Sequence, residues 1–192
     1  MRARGSCERD RDTATAALLL VQICVGYEWL VSGLTKVVHG DFATGLGAQL
    51  HELAKSAPSW YGSFLSDAVV PHSQEFAYAV EAAELVAGAM LLGAGIALLV
   101  RGGRLSARVR HRLRLVTAAA SLLGLVLVVN FELANGGTFG LSLAKDSFDE
   151  GVDLDTIMAG LQLALLVFGL TGRSARVEAA RRRPPAAKLR AV

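Results

Sequence analysis

The chain has 192 residues, 53% of them hydrophobic, with a mean hydropathy of +0.42 and a formal net charge of +3. That length and apolar content suit one membrane domain and leave no room for a separate soluble one. The basic residues are confined to a few segments, so the excess charge reads as contact with anionic lipid headgroups and not with nucleic acid.

Of twenty lysines and arginines, four lie in 2–11, six in 101–114 and seven in 173–190. Apolar stretches separate these segments from the rest of the chain: 14–38, 76–100, 115–133 and 154–170. Each approaches the ~20 residues needed to cross the hydrocarbon. Basic segments stay on the cytoplasmic side during insertion, so the alternation also predicts an orientation. The expectation is an all-α, four-helix bundle in a bacterial inner membrane with both termini cytoplasmic. Residues 1–13 and 172–192 would be tails, and 14–171 the membrane domain. Glu28 and Lys36 interrupt the first stretch and no small-x-small site follows it, which predicts a retained span and not a cleaved leader.

After the first span, Phe42, Leu46, Leu50 and Leu53 follow helical spacing, so 42–54 is expected to lie flat on the outer membrane surface. Pro58-Ser59-Trp60-Tyr61 then places two aromatics at the interface, and Phe64, Leu65, Val69 and Val70 continue an apolar face to Pro71. Ser73 and Glu75 suit the start of the second span. Within it, Ala79, Ala83, Ala87, Gly88, Gly93 and Gly95 form a stripe of small residues for close helix approach. Gly136-Gly137 is a stop after the third span. Residues 135–151 are Gly-rich and acidic and are expected to form a cover, with Asp146, Asp149, Glu150 and Asp153 as surface charge. Asp153 and Asp155 suit the start of the fourth span, and Gly172 its end. His39, His51 and His72 lack metal-ligand spacing and read as solvated. Cys7 and Cys24 differ in depth by about 15 Å and read as two separate thiols.

The chemistry-bearing residues collect in the outer half of the spans. Lys36 lies near the outer end of the first, with Glu28 about 12 Å deeper. Glu81 and Glu84 sit one turn apart on the second, Asn130 and Glu132 end the third, and Gln162 lies on the fourth. Gln22, Thr117 and Ser121 are the main polar residues of the inner half, too few for a continuous conduit. Carboxylates gathered around one lysine cannot all stay charged in a low-dielectric hollow, so proton exchange is expected of Glu28, Glu81 and Glu84. Tyr27, Trp29 and Phe131 offer flat apolar surface for a ring. The rival reading is structural: a Glu28–Lys36–Glu81 clasp that only holds helices together, with Glu132 at the interface.

The run Gly26-Tyr27-Glu28-Trp29-Leu30-Val31-Ser32-Gly33-Leu34-Thr35-Lys36-Val37 resembles the G-x-x-(W/F)-x-x-x-G-x-x-K-(L/V) signature of the DoxX/DoxD family of small membrane proteins. Pro58 to Tyr61, Phe64-Leu65, Val70-Pro71, Glu84 with Gly88, and Asn130-Phe131 are similar to its DoxD-like branch. The likeness covers residues 14–170 and neither tail. It implies a four-helix membrane subunit linked to sulfur or thiol redox, thiosulfate as a donor class, quinone as acceptor, and a DoxA-like subunit or a soluble redox enzyme as partner. The matched positions are Trp29, Gly33, Lys36, Trp60, Glu84 and Asn130; where many relatives have an arginine, this chain has Gln22. Together these place Glu81, Glu84, Lys36 and Glu28 as candidates for catalysis, and Trp29, Trp60, Asn130 and Glu132 as candidates for holding the quinone. The alternative is a non-catalytic scaffold that recruits soluble redox or oxidative-stress enzymes through the Arg181-Arg182-Arg183 tail.

Overall fold

The computed structural model describes residues 2–136 and 154–171, and nearly all of these are helical. In chain order the helices are α1 (Arg2–His39), α2 (Phe42–Ser56), α3 (Ser59–Phe64), α4 (Ser73–Arg101), α5 (Ala107–Ala134) and α6 (Leu154–Thr171). A π-helical turn, Leu65–Val69, and a 3-10 turn, Val70–His72, run α3 into α4. Among the described residues, α1, α4, α5 and α6 contain the stretches long and apolar enough to cross a membrane. The chain is a multi-pass helical membrane protein.

The expected spans fall where hydropathy put them, with three differences at their starts, one being that α5 begins at Ala107 and takes in much of the basic segment before 115. α1 runs back to Arg2, through the segment expected as a tail. Residues 2–12 contain no proline, and once a helix is nucleated each further residue extends it at little cost. At α4, Ser73 and Glu75 lie inside the first turn while His72 holds the cap position without a side-chain bond. The preceding helical turns already lead into α4, so no separate polar cap is required there. The acidic segment 146–153, Gly172 and the C-terminal arginines lie outside the described residues.

The four long helices form an up-down ring. α1 packs chiefly on α4, α4 on α5, and α5 on α6, with lighter contact between α1 and α6 closing it. A tight turn joins α4 to α5: Ser106 caps α5 by accepting from the Val109 amide, and Arg110 Nη1 donates to the Gly102 carbonyl at 3.0 Å. Val25, Trp29, Leu91, Leu127, Val128 and Leu165 make up most of the central core. A second core at the opposite end from that turn joins Leu50 of α2 and Tyr61 of α3 to Leu65, Val69 and Ala134. α2 and α3 therefore lie across one end of the bundle as a packed lid.

The closest helix crossing is between α1 and α4. A Cβ on Gly88 would run into the Leu30 backbone and come within 2.9 Å of the Gly26 carbonyl oxygen, and Gly26 faces the Leu92 amide nitrogen and Leu91 Cβ as closely. Without a hydrophobic drive between helices in lipid, this backbone approach supplies much of the association. Only part of the expected small-residue stripe takes part. Ala87, Gly88 and Gly95 are buried, whereas Ala79 and Gly93 are exposed. Small residues in lipid are compatible with either side of a helix.

Gly88→Ala should therefore force α1 and α4 apart and cost about 1–3 kcal/mol, the usual range for overpacking. Gly93→Ala, with nothing within 4 Å of the added carbon, should hold or raise stability by up to about 1 kcal/mol. Thermal unfolding of the two purified variants in micelles measures the difference.

Candidate functional site

The first polar centre forms where α1 passes α4 beneath the lid. Lys36 lies one turn above Ser32 on α1, and both reach Glu84 on the buried face of α4. The Lys36 ammonium donates to both Glu84 oxygens, at 2.6 and 2.7 Å, and to the Ser32 hydroxyl at 2.9 Å. Ser32 in turn donates to Glu84 Oε2 at 3.2 Å. Glu84 is fully buried, while 21% of the Lys36 side chain remains accessible. The cation also lies over the Phe42 ring at 5.3 Å, which ties the first turn of α2 to the pair.

The accessible side of Lys36 opens into a cavity of about 540 Å³ between the lid and the bundle. Phe42, Leu46, Leu50 and Leu53 of α2 form its roof, and Val80, Ala83, Leu127 and Phe131 its floor. Lys36, Gln49, Tyr61, Asn130, Asn135 and Asp155 supply its polar points. Tyr61 donates to Asn130 Oδ1 at 2.8 Å, and Asn130 Nδ2 donates to the Val126 carbonyl at 2.7 Å. That pair joins lid to bundle across the cavity wall. A mostly apolar hollow with a few convergent polar groups is the ordinary form of a small-molecule site.

A second polar layer lies deeper. Trp29, Gln162 and Gly124 meet in the middle of the bundle, where a Cβ on Gly124 would strike the Gln162 amide and approach Trp29 Nε1 to 3.1 Å. Gln22, further along α1, donates to the Leu91 carbonyl at 2.9 Å. Gln22, Thr117, Ser121 and Gln162 are all fully buried.

The sequence-derived candidates divide under this geometry. Lys36 and Glu84 are joined directly. Glu81 is buried on the same α4 face one turn away. Asn130 lines the cavity, as does Phe131. Glu28 does not belong: its side chain is exposed on the outer surface of α1. The inward face of α1 is set by Gln22, Val25, Trp29 and Gly33, and Glu28 is about 100° around the helix from Trp29. A clasp that includes Glu28 is therefore ruled out by phase. Tyr27 is likewise 61% exposed.

Trp29 is core and lines the deeper layer, not the cavity. Trp60 is 65% exposed, so the neighbouring Tyr61 takes the inward position that Trp60 was expected to hold. Adjacent residues on a short helix point in different directions, and which of two aromatics turns inward depends on the lid's docking. Glu132 is buried near the end of α5 and does not line the cavity. Leu46 and Leu50, expected to lie flat on the membrane surface, and Tyr61, expected at the interface, carry much of the site; for the two leucines the signal was the helical spacing of the α2 apolar face.

Comparison with known proteins adds no assignment: no family model, no curated protein and no solved structure matches the chain.

Removing the cation from the Lys36–Glu84 pair leaves a buried carboxylate without its counter-charge. Lys36→Met should destabilise the bundle by about 3–5 kcal/mol, and Lys36→Met with Glu84→Leu should recover most of it. Reversible unfolding of single and double variants in micelles gives both numbers; equal losses in the two would refute the pairing argument.

Proposed function

We propose that this protein is the membrane subunit of a sulfur- or thiol-linked redox system that passes electrons to quinone. It would sit in a bacterial plasma membrane with both chain ends cytoplasmic and the lid outward, consistent with the positions of the basic segments. The observation that carries this reading is the lidded cavity with a lysine at its wall and a buried carboxylate directly behind that lysine. The resemblance of the α1 run and the 58–71 segment to the DoxX/DoxD family points to the same chemistry.

The cavity's size lies within the roughly 300–1,000 Å³ usual for small-molecule sites. Its flat apolar walls suit a quinone ring, and a quinone, when bound, takes up two electrons and two protons. Lys36 would offer its ammonium to negative charge developing on a ring oxygen. Glu84, held by Lys36 and Ser32, positions that ammonium and is the nearest group with which it can exchange a proton. Phe131 and Phe42 would bracket the ring, and Asn130 with Tyr61 would fix its other edge. Two thiosulfates joined as tetrathionate release two electrons, which makes thiosulfate a balanced donor for one quinone.

The protein in lipid vesicles, with and without co-purifying partners, should form quinol from decyl-quinone when thiosulfate is added. If no combination yields quinol, the redox reading is wrong. Leu46→Trp, which puts a larger side chain into the roof, should weaken quinone binding by about tenfold in a titration. Unchanged affinity would place the quinone elsewhere.

A further inference from the structure

Glu28 is the residue that the cavity leaves unexplained. The α1 span runs Thr13–His39, and Glu28 lies about 3 Å from its midpoint along the axis. Its side chain points out of the bundle, and among the described residues it makes no hydrogen bond or ion pair. It is too deep to reach a headgroup. A carboxyl group in that position is costly in lipid unless something outside the chain meets it.

The surrounding surface has a definite pattern. Ala17, Cys24 and Val31 alternate with Val21, Glu28 and Thr35 at three- and four-residue steps, and all but the partly buried Val21 are exposed. That is the seam of a left-handed helix pair, with Glu28 at the kind of position where a polar side chain fixes register. Ala17 and Cys24 on the inner-leaflet side of Glu28 permit close approach there.

We infer that this face of α1 docks against α1 of a second copy of the chain, with the two Glu28 carboxyl groups hydrogen-bonded to each other. The occupant follows from the bilayer itself. Two copies inserted the same way present Glu28 at the same depth, and a two-fold axis along the membrane normal brings the paired groups together. A neutral carboxyl both donates and accepts, so it is complementary to itself. A partner helix bearing a lysine or arginine would instead bring a second charge into hydrocarbon, which is the more expensive solution. This interface lies on the side of α1 away from the cavity and stands whether or not the protein reduces quinone.

Cys24, one turn from Glu28 on the same seam, reports the contact. The full-length Cys7→Ser protein, reconstituted in vesicles and treated with copper phenanthroline, should give a disulfide-linked dimer. Glu28→Gln, whose amide also donates and accepts, should keep it. Glu28→Leu should lose it, and in single-molecule photobleaching its association should fall by about tenfold or more. The leucine replaces an exposed side chain that makes no hydrogen bond or ion pair among the described residues, so each monomer should unfold at the temperature of the parent. A parent protein that bleaches in single steps, a dimer that does not cross-link at Cys24, or association unchanged by Glu28→Leu would each overturn the proposal.

Discussion

A charge in hydrocarbon stays only where another group holds it, and one such arrangement organises the lidded end of this bundle. Lys36 binds both oxygens of a fully buried Glu84, and Ser32 completes the triangle. The pair is held in place because α1 and α4 are in backbone contact through Gly26 and Gly88, the latter one turn beyond Glu84. The close crossing sets the register, and the register brings the cation over the carboxylate. Once seated, the same cation faces Phe42 and so fixes where the lid begins.

The cavity follows from that chain of contacts. α2 is amphipathic, and its apolar face must be covered somewhere. Gly40, with φ of +71°, turns the chain sharply enough for α2 to fold back over the helix ends. Gly62 of α3 packs against the Ala54 carbonyl, which keeps the two lid helices together. Tyr61 then anchors the lid to Asn130 of α5. Lid and bundle touch at the Lys36–Phe42 end and at the Tyr61–Asn130 end, and the hollow is what remains between these two points. A site made in this way has the bundle helices as its floor and a roof held by these two polar contacts together with the second apolar core around Leu50 and Leu65.

The transmembrane architecture was legible because it rests on a strong, one-dimensional signal. Runs of apolar residues between basic segments mark spans regardless of how those spans pack. The helical spacing of Phe42, Leu46, Leu50 and Leu53 likewise disclosed α2. Side-chain facing was much harder to read. In water an amphipathic helix announces its inner side, but lipid is as apolar as a protein core, and α1 has no apolar asymmetry to reveal which way it turns. Lys36 was expected to meet a span carboxylate, but the clasp was read with Glu28 and Glu81, whereas the cation is bound by Glu84. Glu28 could not be placed, because depth was available from counting and azimuth was not. Trp60 and Tyr61 show the same gap over a single residue step.

That gap explains why two glutamates in neighbouring parts of the bundle have such different environments. Glu84 is enclosed and satisfied by its own chain. Glu28 is presented outward, where no described residue answers it. A helix that carried polar groups only on its inward face could serve a monomer. α1 carries them on both faces: Gln22, Ser32 and Lys36 toward α4, and Glu28 with Thr35 away from it. Hydrocarbon imposes the same requirement on both sides of a helix, so the outward carboxyl is as much a statement about a neighbour as the inward one. The inward face builds the bundle and its cavity, while the outward face sets the position of the next molecule.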